Sequence, residues 1–272
     1  MVSTPITNLN AYANIDEASA YLLDSVRGQT WEDLDPDSQA RALLSATRLL
    51  DRQRWEGTTS GLSVVSSVAV ASGGTGHTVG DVLTLDSGTT EDPARAKVTA
   101  VSAGVVTAVQ LLDAGGYTVD PDATSATTSS GGGTGCTLTT TVSSQVLQLP
   151  HSGMTDRYEA AVSAGIVPPE IVQACMELAY RLTQDPTLEG QGSTAQNSVK
   201  KAGAGSAAVE FFSPGAFVPI TRFPPEIMEL IKPFLAGSGD VVAQLGASFS
   251  SGTDAASQFD DCDGSGFTEG LG

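Results

Sequence analysis

The chain has 272 residues, long enough for one large domain or two modest ones, each with a real core. Only 16% of residues are charged, yet Asp and Glu outnumber Lys and Arg 31 to 13, for a net charge of −18. Affinity for phosphate backbones comes mainly from Lys and Arg releasing counterions, so this balance disfavours nonspecific nucleic-acid binding.

The N-terminal text is helical. Asn14 with Glu17 three residues on is a capping-box pattern, and Ile15, Ala18, Tyr21, Leu22 and Val26 fall on one face of a helix that Gly28 ends. The opening stretch lacks a basic segment followed by an apolar run. No segment approaches the ~18 apolar residues that span a bilayer, so a cytoplasmic or assembled soluble protein is expected. Asp35 as N-cap and Pro36 at the first helical position start a second helix. Ala40, Leu43, Leu44, Thr47 and Leu50 form its stripe, and Trp55-Glu56-Gly57 closes it. Arg48, Arg52 and Arg54 lie off the stripe, near the negative end of the helix dipole, and read as helix-end charge and surface ion pairs rather than a partner contact.

From Leu62 the period changes to strand and turn text. The segment Val64–Val68 aligns with Val105–Val109 at an offset of 41, and after a one-residue gap His77-Thr78-Val79 aligns with Tyr117-Thr118-Val119. "ARAKVTAVSAG" likewise corresponds to "GCTLTTTVSSQ", and "GGTG" recurs. Two related β units that complete one core together are expected over 62–146, inserted between helices. Helical text resumes at Pro168-Pro169 and runs to about Gln184, with Ile171, Ala174, Cys175, Leu178 and Leu182 on one side. "SVKKAGAGSAAVEFFSPG" reads as a short polar hairpin or extended arm, and "FPPEIMELIKPFL" as the last helix, carrying Ile227, Leu230, Ile231 and Phe234. Beyond Ala236 the text is rich in Gly, Ser and Asp. The expected fold class is α+β: a small bundle of about four helices (1–61 and 147–235), interrupted by the inserted β domain and followed by an extended arm (236–272).

Little in the sequence suggests catalysis. Cys136, Cys175 and Cys262 are too scattered for a disulfide framework or a CxxC metal site. His77 sits in a glycine turn where the other repeat has Tyr117, and His151 has no Cys or carboxylate cluster nearby in sequence. "GGGTG" lacks the lysine of a phosphate loop, and "DDCDGSG" lacks the first ligand and closing Glu of a calcium loop. No enzyme, cofactor or metal is expected.

The helical segments "YANIDEASAYLLDSVRGQTW", "QARALLSATRLLDRQRWEG", "VPPEIVQACMELAYRL", "VKKAGAGSAAVEFFSPG" and "FPPEIMELIKPFL", in that order, resemble the head–tail connector (adaptor) family of tailed bacteriophages, sometimes labelled DnaT-like. They cover about half the chain. The β insertion departs from the pattern, standing where similar proteins carry a shorter loop. The resemblance implies a non-enzymatic subunit of a ring, typically dodecameric, beneath the portal vertex of the capsid. The ring would extend the DNA channel, with genomic double-stranded DNA passing without specific binding, and would offer a surface to the stopper or tail. It implies residence in the virion neck, host cytoplasm during assembly, and no membrane. It also implies a C-terminal arm reaching into the portal protein, for which Phe259, Phe267 and Leu271 are the candidate anchors. Lys200 and Lys201 are candidates for a channel loop, with plain solvent exposure the alternative. Three other readings stand beside it: a single-stranded DNA-binding protein, which needs a basic groove with stacking aromatics; a carbohydrate-binding or decoration module on the β insertion, whose one aromatic is Tyr117; and a hydrolase, for which two isolated histidines offer little.

Overall fold

Local capping sets where the helices begin. The structure, a computed structural model, describes residues 2–189, 202–204, 207–209 and 223–236. Helix α1 (Ile15–Leu23) starts at Asn14, whose side chain accepts from the Glu17 N–H at 3.0 Å while Glu17 accepts from the Asn14 N–H at 3.1 Å. It stops before Val26, which is 100% exposed rather than on the buried face. Gly28 opens α2 (Gly28–Glu32) instead of ending α1: it sits against the backbone of Leu22 and Leu23, where a Cβ would lie 2.7 Å from the Leu23 Cα. Asp35 caps α3 (Pro36–Asp51) through the Ser38 N–H. Helix α4 (Pro169–Gln184) and the short α5 (Pro225–Ile231) each carry proline in the first turn, where the missing N–H leaves no bond unmade.

The stripes of α3 and α4 pack on one another, burying Leu43, Leu50, Ile171 and Leu178, and α5 adds Ile227 and Ile231. Trp31, Trp55 and Phe234 close this core. Only α3 and α4 are long, at 16 residues each, while α1, α2 and α5 have 9, 5 and 7. A small bundle of about four helices is therefore not the right description. The molecule is mixed α+β, with five helices and one large antiparallel sheet among the described residues.

The chain leaves the helices through β1 (Thr58–Thr59) and returns through β10 (His151–Ser152), which pair with each other as a neck. Gln145 fastens it: its Oε1 accepts from the Leu62 N–H, and its Nε2 donates toward the carbonyls of Leu147, Gln148 and Pro150. Between lie β2 (Ser63–Thr75), β3 (Val82–Leu85), β4 (Thr89–Asp92), β5 (Arg95–Ser102), β6 (Val105–Asp113), β7 (Gly116–Val119), β8 (Thr124–Ser129) and β9 (Thr134–Ser144), in the order β4-β7-β2-β9-β8-β3-β5-β6. The sequence offset of 41 reappears in the ladders. Val64↔Ser143, Val65↔Val142 and Ser67↔Thr141 on β2/β9 become Val105↔Ser102, Val106↔Val101 and Ala108↔Ala100 on β6/β5, with the register shift at the same place. The six strands from β2 to β6 in that order thus reproduce the same order read backwards after exchanging β2 with β6, β3 with β8 and β5 with β9. The sheet curls until β6 meets β2, a contact that requires Gly73, where a Cβ would lie 2.4 Å from the Val106 carbonyl oxygen. Leu83, Leu85, Val98, Leu111 and Leu138 fill the resulting second core.

Strands β11 (Ala202–Ala204) and β12 (Ala207–Val209) form the hairpin anticipated in the polar segment. The chain divides into one unit over Met1–Leu235 and another over Ala236–Gly272.

Candidate interaction surfaces

A polar seam joins the N-terminal segment to the sheet. Thr7 makes two main-chain bonds to β6 and its extension, donating to Leu112 and accepting from Ala114 at 2.9 Å each. Asn8 Nδ2 donates to Asp92 at 2.8 Å and to Asp113 at 3.0 Å. Arg95 donates to Asp113 at 2.7 Å and to Glu17 at 2.9 Å, and Lys97 reaches Asp16 at 2.6 Å. The Asp113 side chain is 1% exposed. Burial, and then the charge of Asp92, push its carboxyl up to about 6, against the pull of Arg95 and the Gly115 N–H. Burial also raises Asp92. A raised carboxyl is a frequent mark of catalysis. Here the side chain is buried and both its oxygens accept hydrogen bonds, from Asn8, Gly115 and Arg95, so the pair acts as a structural clasp.

Neither histidine is placed for chemistry. The Glu56 carbonyl, 2.7 Å from His151 Nδ1, can only accept, so Nδ1 donates to it, while Nε2 is hydrogen-bonded with Thr59 Oγ1 at 3.3 Å. His151 thereby ties the neck together. The His77 ring is buried with no hydrogen-bond partner among the described residues, 3.8 Å from Asp81. In the sequence repeat His77 aligns with Tyr117. Tyr117 is itself 1% exposed, its hydroxyl accepting from the Ala94 N–H. The aromatic on which a carbohydrate-binding β face depended is therefore part of the sheet's core and unavailable to a sugar. Cys136 and Cys175 are buried too, and burial pushes the Cys175 thiol up to about 11. Among the described residues no group of three or more His, Cys, Asp or Glu could hold a metal ion, and no helix is long and apolar enough to cross a membrane.

Two surface features near the neck remain. The first is a tight hairpin, Met154–Val162, closed by main-chain bonds from Asp156 to Ala160 and from Val162 to Met154. The Asp156 carboxylate accepts from the N–H groups of Tyr158 and Ala160, and Glu159 adopts φ +61°. Glu56 anchors its base by accepting from the Thr155 N–H and hydroxyl. The tip presents Arg157 and Tyr158, and Tyr158 at 81% is the one exposed large aromatic among the described residues. The second feature is a cleft of ≈ 360 Å³ beside edge strand β4, walled by Leu62, Thr90, Gly116, Thr118 and Ser163 around Glu91.

Lys200, Lys201, Phe259, Phe267 and Leu271 all lie outside the described residues. Arg48, Arg52 and Arg54 are exposed and make no ion pair with the described residues. They are helix-end charges, without the surface ion pairs expected for them. The seam and the hairpin were missed in the sequence, where Asn8, Asp92 and Asp113 lie up to 105 residues apart. The "TDRYE" turn was the one signal available, an Asp two residues before an exposed aromatic.

No curated protein and no solved structure matches the chain. A family model described as "Putative DnaT-like ssDNA binding protein" matches residues 137–246, less than half of the chain, from β9 through α4 and α5.

Proposed function

We propose that the protein is a structural virion component, the head–tail adaptor of a tailed phage, acting without catalysis or cofactor. In this reading it forms a ring under the portal, extends the DNA channel and offers the stopper or tail a docking surface. The observation that carries the reading is electrostatic. Arg27, Arg41, Arg95, Lys97 and Arg181 are each paired with a carboxylate, and the whole chain carries −18. An acidic surface that repels phosphates suits a conduit through which DNA passes without adhering. The order of the helical segments along the chain supports the same reading. The test is to mix the protein with the portal ring encoded beside it and image the product by electron microscopy, together with a chain truncated after Leu235. A ring stacked coaxially on the portal and lost on truncation is expected; full-length protein that ignores the portal overturns the reading.

The family description favours a second reading, single-stranded DNA binding. The matched segment holds Arg157, Arg181, Lys200, Lys201, Arg222 and Lys232 against ten carboxylates, and one exposed aromatic among its described residues. A single-strand groove combines cations with several stacking rings. Fluorescence anisotropy of a labelled oligothymidine across a salt series decides between them: salt-sensitive binding lost in Tyr158→Ala would establish the second reading.

A further inference from the structure

We propose that copies of this chain associate by seating the Arg157–Tyr158 tip of one copy in the Glu91 cleft of another. The knob is built in advance. Asp156 fixes the turn through two N–H groups, and Glu56 and the buried Met154 fix its base, so little side-chain and loop entropy is lost on docking. Tyr and Arg are also the residue types that most often dominate protein interfaces.

The cleft matches the knob in shape and charge. Its ≈ 360 Å³ accommodates an aromatic ring, with Leu62, Gly116 and threonine methyls to meet the ring faces. The Ser60 and Thr118 hydroxyls also line the cleft; each donates to a main-chain carbonyl, of Ala164 and Thr89, which leaves its oxygen to accept from a phenol. Glu91 accepts from the Ser163 hydroxyl through Oε2, and its Oε1 accepts no hydrogen bond among the described residues, leaving it open to a guanidinium. Arg157 has no carboxylate partner in its own chain among the described residues. Nor does the tip enter its own cleft: Tyr158 is 81% exposed although the rim begins at Ser163. A second copy supplies the missing half of each contact. The cleft's carboxylate equally disfavours a nucleic-acid strand as the occupant, since it would repel the phosphates.

This inference names the copy-to-copy contact of the ring in the reading above, but its test needs no portal, so the two fail separately. The full chain is followed by sedimentation velocity and native mass spectrometry across a concentration series. Self-association is expected, weakened about tenfold or more by Tyr158→Ala. Arg157→Glu and Glu91→Arg should each weaken it, and the double variant should restore it to within a few-fold. All three side chains are exposed, and circular dichroism confirms that each variant is folded. A wild-type monomer at every concentration overturns the proposal, as does a double variant no better than its parents. Loss of oligothymidine binding in Tyr158→Ala with association unchanged would assign the tip to nucleic acid and overturn it too.

Discussion

The helical region and the inserted sheet are stabilised by different means. The helical core rests on apolar stripes: α3 and α4 bury Leu43, Leu50, Ile171 and Leu178 against each other, and two tryptophans seal it. The sheet has a smaller core, built mainly of leucines and valines with two alanines, and takes its order from main-chain ladders that repeat across a pseudo-two-fold. Where the two regions meet, at the N-terminal segment, the join includes Asn8, Glu17, Asp92, Arg95 and Asp113. Apolar contact holds each body, whereas directional hydrogen bonds fix how the two are set against one another.

The comparison can be broken most forcefully from the helical side. Leu43→Ala, at 0% exposure, should cost about 3 kcal/mol through lost burial and a residual cavity, read by urea unfolding followed at 222 nm. A loss below about 1 kcal/mol would show that the α3 stripe is not the central support. Next comes the seam: Arg95→Leu removes the cation facing Asp113 and Glu17 and should cost about 2 kcal/mol, with the helices otherwise retained.

The seam also predicts a pH dependence. The Asp113 carboxyl is raised to about 6 in the fold, above its ordinary value of 3.8, so the folded state holds that proton more tightly than the unfolded chain. Its contribution is fully present below about 4 and is lost as pH rises through about 6. Between pH 7 and pH 5 the wild type should therefore gain about 1 kcal/mol relative to Asp113→Asn, measured as the difference in unfolding free energies. Equal pH profiles would mean that the seam is open in solution. At the neck, Gln145→Ala should cost about 1 kcal/mol, the smaller effect expected of a partly exposed hydrogen-bonding hub. Smallest of all, Asp35→Ala should lower the unfolding midpoint by less than Gln145→Ala does, by removing the α3 cap at an exposed site.

Much of this was legible in the sequence because the signals are local. Asn14 with Glu17, Asp35 with Pro36, and Pro168-Pro169 mark helix starts through bonds that span three or four residues. The 41-residue offset was visible because both repeats need the same alternation, and it reappears pair by pair in the ladders. Val26 and Gly28 were misread, since a helix period continues on paper past the point where the chain must turn to pack α2 on α1. The surface was less legible. Tyr117 lies in β7 and Tyr158 at a hairpin tip, yet each stands in a short polar stretch of sequence, and the neighbouring strands decide that Tyr117 enters a core.

The sequence by itself determined the helix starts, the two β units, the inserted position of the sheet and the strongly acidic character. Each of these depends on spacing within a few turns of chain or on composition alone. Tertiary structure alone decided the pseudo-two-fold order of the strands, the Asn8–Asp92–Asp113–Arg95 seam, the preformed Arg157–Tyr158 tip and the cleft around Glu91. Those features arise from groups tens of residues apart, and their energies appear only once the folded chain excludes water from between them.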